Sequence, residues 1–323
     1  MTETSTTSPR VSVIIPCYNG ERFIGGAVES VLGQTFDDFE IVVVDDGSSD
    51  GSRAAVERYM GDPRVRYETH ESNLGIPAAR NTGLRCSRAE YVAFLDQDDL
   101  WTPEKLERQV HILDVSPASV GFTFSDVLIV DDMGRSLGLS QGRWIPRSIE
   151  GMSRDDRLRA LFLHDFIPLI SVVVRRACLD ECGWFNERIR SGMDDYELCL
   201  RLIAGCDVRV IREPLATHRT HGLNYSADTE RLVSDAPEII EMALEEHPFL
   251  SRLMPRKMAI HHVRLARYHR DLGDPRSSRA EIRRSIECDR TWVRPYAMYA
   301  LSLTGGLGRF LLRMNRSFRR MGS

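Results

Sequence analysis

Four short apolar runs mark the first two-thirds of the chain: VSVII (11–15), EIVVV (40–44), YVAFL (91–95) and ISVVV (170–174). They are rich in β-branched residues and continuous rather than alternating, the pattern of strands buried on both faces, as in parallel sheets. Segments of helical character, 21–33, 51–60 and 77–87, separate the first three. This alternation predicts an α/β domain, doubly wound on a mostly parallel sheet. A further strand, VRYET (65–69), is expected beside the second.

Polar residues cluster where these runs stop. PCYNG follows the first strand, DDGSSDGS the second and DQDD a later one. Each cluster therefore falls at the carboxyl end of a strand, the edge at which open α/β sheets bind ligands. From about Asp228 the strand pattern gives way to helical segments. One stretch, ARYHRDLGDPRSSRAEIRRSIECD, resembles a single tetratricopeptide-like helical pair. No second copy follows it, so it predicts a helical appendage and not a solenoid.

Composition narrows the picture little. With 42% hydrophobic and 28% charged residues, the 323-residue chain is an ordinary globular sequence. A net charge of −4 gives no general case for binding nucleic acid. The seven cysteines are scattered, odd in number and without a C-x-x-C, so free thiols in a reduced, cytoplasmic compartment are expected. The first ten residues contain no apolar core of a signal peptide, and no window approaches 18 uninterrupted apolar residues.

The acids of YVAFLDQDDLW call for a chemical partner. The following segment, TPEKLERQVHIL, already supplies Thr102 as an N-cap, Pro103 as the first helical residue and Glu104 as a first-turn acid. Capping therefore leaves Asp96, Asp98 and Asp99 unexplained. In an extended segment Asp96 and Asp98 share one side while Gln97 points away. Two carboxylates, completed by oxygens of a ligand, suit a hard divalent cation, Mn²⁺ or Mg²⁺.

The ordered motifs VSVIIPCYNG, VVDDGSSDGS, NLGIPAARNTGL, FLDQDDLW, GMDDYELCLRL and RTHGLNYS resemble family 2 glycosyltransferases of the GT-A fold over residues 10–226. The resemblance implies a catalytic domain over 10–226, preceded by a disordered 1–9 and followed by a helical region over 227–323. It further implies inverting, metal-dependent, non-processive transfer of a sugar from a nucleotide-diphosphate-sugar, UDP above other nucleotides, to an acceptor hydroxyl. The acceptor would be a glycan, a lipid-linked molecule or a small molecule, in polysaccharide or glycolipid synthesis. Motif by motif, Pro16, Tyr18, Asn19, Asp45, Asp46, Arg80 and Arg219 fall at donor-binding positions. Asp96 and Asp98 fall at the metal and ribose contact, and His221 near the metal or diphosphate. Asp195 matches the catalytic base, and Asp194 stands where glutamate is commoner. Asp45 and Asp46 equally fit a turn that caps the next helix, Asp194 or Asp195 a helix cap, and His221 a structural histidine.

Three rivals are weighed at the level of sequence, and the processive one is rejected. A sugar-1-phosphate nucleotidyltransferase would carry a glycine-rich motif where PCYNGERF stands, and a processive synthase a Q-x-x-R-W that QGRW at 141–144 lacks. A catalytically inactive nucleotide-sugar or glycan-binding scaffold would have no need of a base. The tail GLGRFLLRMNRSFRRMGS sets Leu307, Phe310, Leu311, Met314 and Phe318 beside a basic face. That pattern fits peripheral contact with an anionic membrane, or packing on the protein with its arginines solvated. Acceptor recognition is expected in the 120–170 region.

Overall fold

The computed structural model describes residues 8–140, 145–189, 192–222 and 236–303. Two compact units divide the chain, Met1–Ile239 and Ile240–Ser323. The boundary expected at 226, the QGRW stretch and the basic tail all lie outside the described residues.

The first unit is built on one sheet. Strands β1 (Val11–Cys17), β2 (Phe39–Asp45), β3 (Val65–Thr69) and β4 (Tyr91–Phe94) form its parallel half, in the order β3-β2-β1-β4. Every residue of β1, β2 and β4 is buried, as their unbroken apolar runs require. Helices α1 (Ile24–Leu32), α2 (Ser52–Glu57) and α3 (Ile76–Cys86) make the crossovers. The registers Cys17↔Asp45 and Ile14↔Phe94 bring the loops after β1, β2 and β4 out at one edge.

Beyond β4 the sheet changes character. Strands β5 (Leu100–Trp101), β6 (Val120–Asp131), β7 (Ser136–Leu139), β8 (Val173–Arg175) and β9 (Asp207–Thr220) continue the order as β4-β8-β6-β9-β5, with β7 on β6. Only β6–β9 among these pairs is parallel; β4–β8, β6–β8, β5–β9 and β6–β7 are antiparallel. The expected parallel sheet is thus one half of a mixed one. A continuous apolar run reports burial on both faces and carries no information on strand direction. Helices α4 (Lys105–Val115), α5 (Arg154–Leu163), α6 (Arg176–Cys182) and α7 (Asp194–Gly205) complete this unit's well-defined helices before the boundary.

Two local expectations are corrected. Thr102 does not cap α4, which starts three residues later; its N–H donates to Leu215 O and its carbonyl accepts from Gln34 Nε2. The helix start is held instead by Gln34 at the end of α1, whose Oε1 accepts from Leu106 N at 2.9 Å. The thiols are not all free either, since Cys178 and Cys206 form a disulfide. They lie 28 residues apart, and only the packing of α6 beside the end of α7 brings them together. The disulfide removes the ground on which a reduced compartment was expected. Among the described residues no helix is long and apolar enough to cross a membrane.

Gly83 sets how closely α3 lies on β1. A Cβ there would stand 2.4 Å from Ile14 Cγ2 and 3.3 Å from Ile14 Cβ. Both elements are buried, so neither yields, and Gly83→Ala is expected to cost about 1–3 kcal/mol. A denaturation midpoint equal to wild type would contradict that packing.

The second unit contains the remainder of α8 (Ala236–Glu246), in which the division falls, with α9 (Met254–Asp271), α10 (Pro275–Cys288) and α11 (Val293–Leu303). Ser285 Oγ donates to Ala259 O and Ser278 Oγ to Ala266 O, so α9 and α10 run antiparallel. Asp274 caps α10 by accepting from Arg276 N and Ser277 N, with Pro275 at the first helical position. This is the helical pair read from the sequence.

Candidate active site

Pro16 is the penultimate residue of β1, opposite Val44, and the chain then turns out of the sheet. Tyr18 is exposed, while its backbone is clamped by Gln97: Tyr18 N donates to Gln97 Oε1 (2.9 Å) and Gln97 Nε2 to Tyr18 O (3.2 Å). Asn19 adopts φ 47°, a conformation asparagine tolerates better than most residues. Its N–H donates to Ser48 Oγ and its Oδ1 accepts from Ser49 N, each at 2.9 Å. The loops after β1 and β2 are therefore laced together around Tyr18.

Asp45 and Asp46 are both buried and both engaged by the protein. Asp45 accepts from Ser48 N (2.8 Å) and from the Tyr67 hydroxyl. Asp46 accepts from Leu74 N and Gly75 N at 2.8 Å, and lies 2.7 Å from His70 Nδ1. Both acids hold turns, but neither caps α2, whose cap residue is Gly51 and which has no side-chain cap; Asp46 instead holds the loop before α3.

The D-x-D segment is a turn, not an extended strand. Asp99 N donates to Asp96 O at 3.1 Å, and Gln97 points back to Tyr18. A period of two therefore does not describe where these acids point. Asp98 Oδ2 lies 2.9 Å from His221 Nε2. Asp99 is fully buried, 3.1 Å from His218 Nδ1 through both oxygens, and accepts from Arg219 N at 2.9 Å. Burial alone would lower the His218 pKa, but the hydrogen bond and charge of Asp99 outweigh it and raise it to about 9. Asp99 thus fixes the end of β9, and β9 delivers Arg219 and His221. The His221 ring stacks on Phe23 with centroids 4.4 Å apart, and the Arg219 guanidinium lies 5.5 Å over the same ring.

Arg80 joins the two acidic motifs. It is buried, with Nη2 2.7 Å from Asp96 Oδ1 and Nη1 2.6 Å from Asp194 Oδ2. A residue assigned to donor contact by resemblance is here a bridge between the D-x-D turn and the start of α7. The capping alternative for α7 fails, because its cap residue is Met193 and no side chain caps it. Asp194 is buried against Arg80, whereas Asp195 accepts only from the adjacent Tyr196 N among the bonds described, at 2.6 Å. Burial pushes the Asp195 carboxyl well up, the charges of Asp165 and Asp194 add to the rise, and Arg80 opposes it. A carboxylate whose pKa is raised in this way is a stronger base than an ordinary aspartate.

The acids also fit a hard cation. Burial raises the Asp98 pKa and the neighbouring Asp96 charge adds to it, so the pair carries a repulsion that a divalent ion would relieve. The carboxylates of Asp96 and Asp98 suit Mn²⁺ or Mg²⁺, and an imidazole ligand from His221 would favour Mn²⁺ of the two.

A sequence profile described as Glycosyl transferase family 2 matches residues 12–177, which carry β1 to β8 and the D-x-D turn. The chain belongs to glycosyl transferase family 2. This family 2 chain is 33% identical over 215 residues to the putative teichuronic acid biosynthesis glycosyltransferase TuaG of Bacillus subtilis, covering 65% of this chain and 79% of the relative. The curated relatives differ in length, and the chain spans from 34% to 79% of the first three. Among solved structures, S. aureus TarS 1-349 in complex with UDP-GlcNAc is similar with a TM-score of 0.59 at 21% identity, over 88% of this chain and 74% of that one. The mannosyltransferase PcManGT of Pyrobaculum calidifontis, in complex with GDP-Man and Mn²⁺, also gives 0.59 at 20% identity, over 97% and 85%. These likenesses establish the GT-A architecture.

Five residues around the family 2 site were not singled out by sequence. Gln97, His70, Phe23 and His218 each act by holding a site residue through tertiary contact. Asp165, whose charge bears on Asp195, left a visible trace as a lone acid within LFLHDFIPLI.

Proposed function

We propose that the protein is an inverting glycosyltransferase that moves one sugar from a nucleotide-diphosphate-sugar to an acceptor hydroxyl, in the assembly of a polysaccharide or glycolipid. The observation that carries this reading is the buried Arg80 bridge, which couples the D-x-D turn to the acids of α7. Pro16, Tyr18, Asn19, Asp45 and Asp46 border the nucleotide, with the exposed Tyr18 ring against the base. Arg219 meets the diphosphate, as its planar fork suits phosphate oxygens. Asp98, with Asp96 and His221, would hold a divalent cation. Such a cation, when bound, stabilises the charge that develops on the departing diphosphate. Asp195 accepts the proton of the incoming hydroxyl, and Asp194 and Arg80 keep it at the required position.

TarS in complex with UDP-GlcNAc and PcManGT in complex with GDP-Man and Mn²⁺ support a nucleotide-sugar donor and a cation. The name of TuaG supports a polysaccharide product. Incubation with UDP-, GDP- and dTDP-sugars, each with glycan and lipid-linked acceptors, is expected to release nucleoside diphosphate in step with glycosylated acceptor. Release of pyrophosphate from nucleoside triphosphate and sugar phosphate would point to a nucleotidyltransferase instead.

The pH profile gives an independent check. A base works only when deprotonated, so the rate rises as pH passes the pKa of Asp195, which lies above the ordinary aspartate range. Removing the Asp165 charge relieves part of that elevation. Asp165→Asn is therefore expected to move the acid limb of kcat to lower pH. A limb that stays in place, or moves upward, would contradict the proposed base.

A further inference from the structure

Three cysteines lie at the far end of α7 from the acids, about 18 Å along a helix of this length. The Sγ atoms of Cys178, Cys182 and Cys206 all lie within 4.8 Å of one another. We propose that in the reduced protein these three cysteines form a thiolate site for one soft divalent cation, with Zn²⁺ as the fitting ion, and that the Cys178–Cys206 disulfide is the oxidised form of the same site.

The fold gathers the sulfurs from two elements. Cys178 and Cys182 are four residues apart on α6 and so share a face. Cys206 is the residue that ends α7. Two glycines make the space. A Cβ at Gly121 on β6 would lie 2.5 Å from Cys178 Sγ and 2.6 Å from Cys206 Sγ, and one at Gly205 would lie 2.7 Å from Cys182 Sγ. Tetrahedral zinc, with Zn–S near 2.3 Å, asks for sulfurs about 3.8 Å apart, a spacing this cluster reaches with small shifts once the disulfide opens. Cys182 is half-buried, so solvent has access to supply a fourth ligand.

The surrounding charge is mixed: Arg201, itself paired with Glu197, and Arg154 are on one side and Glu181 on the other. Three thiolates and a divalent ion leave one net negative charge. Arg201 stands beside it, with Nη1 donating to the carbonyls of Cys182 and Gly183 at 2.6 Å. A dithiol reductant converts the Cys178–Cys206 bond to two thiols and is itself oxidised to a disulfide. Binding the cation then releases three thiol protons to solvent. Soft sulfur ligands also separate this site from the oxygen-rich acids of the D-x-D turn.

The test is a Co²⁺ titration of the full chain after reduction by a phosphine, without oxygen, followed by displacement with Zn²⁺. A thiolate-to-cobalt charge-transfer band saturating at one equivalent, and lost to Zn²⁺, is expected. Cys182→Ser, which alters a half-buried position and leaves the two buried cysteines intact, should weaken affinity by more than the about 10–100-fold cost of losing an outer-shell partner. Cys86→Ser and Cys288→Ser should leave the band unchanged. Absence of the band, an equally strong band in Cys182→Ser, or loss of folded circular dichroism on reduction alone would each overturn the proposal. Cobalt bound without the charge-transfer band would sit on oxygen ligands and would overturn it too.

Discussion

Asp195→Asn is expected to lower kcat by about 10²–10⁴-fold, the range a positioned base contributes, while donor affinity stays at the wild-type level. An amide cannot take up the proton of the acceptor hydroxyl. It can still accept from Tyr196 N through its carbonyl oxygen, so the start of α7 survives the change. The wild-type carboxyl is half-buried beside the charges of Asp165 and Asp194. Removing its charge relieves that repulsion, so the variant is expected to unfold no earlier than wild type. Steady-state kinetics, nucleotide binding and thermal unfolding together make the prediction sharp. Loss of donor binding in parallel with kcat would place Asp195 in the donor pocket and not at the acceptor.

Arg80→Ala carries the largest expected effect on stability, about 3–5 kcal/mol, because it leaves a buried charge without its partner. Asp194 is 1% exposed and loses the only cation described as bonded to it, while Asp96 loses its tie to α7. Arg80→Lys recovers only part, since one ammonium cannot reproduce a fork that spans two carboxylates. The double variant Arg80→Ala with Asp194→Asn removes both charges of the buried pair. It is therefore expected to be more stable than Arg80→Ala alone, a non-additivity that identifies the pair. Urea denaturation of wild type, Arg80→Ala, Asp194→Asn and the double variant measures it. A loss below about 1 kcal/mol for Arg80→Ala would mean the bridge acts as an exposed ion pair.

The parallel half of the sheet was legible because β1, β2 and β4 are buried on both faces, and burial of that kind writes an unbroken apolar run into the sequence. Of the second half only β8 was legible, as the end of the ISVVV run; β6 and β9 pair over long distances with shifts in register, and their polar residues alternate with apolar ones. Lys105 shows the limit of reading charge as surface. One of only two lysines in the chain, it is wholly buried, 4.1 Å over the Trp101 ring and 2.6 Å from Gln109 Oε1, and burial lowers its pKa well below the usual range. The acids of the site were legible by type and order. What each one touches was not. Asp96 and Asp98 were expected side by side on an extended strand, yet they occupy a turn, and Arg80 proved to be the bridge between Asp96 and α7. The Cys178–Cys206 bond was invisible for the same reason: contact between residues far apart in sequence is written in the packing of whole elements, not in local spacing.

The acids after β4 are proposed to hold a cation with a nucleotide-sugar donor, and thermal unfolding tests this most directly. The wild-type protein and Asp98→Asn are each heated with UDP, GDP or dTDP, in Mn²⁺, Mg²⁺ or EDTA. One nucleotide at about 100 times its Kd is expected to stabilise the wild type by about 2.7 kcal/mol in the presence of the metal. The shift should vanish in EDTA and in Asp98→Asn. A nucleotide shift of equal size in EDTA, or the absence of any shift for folded protein, would contradict the account.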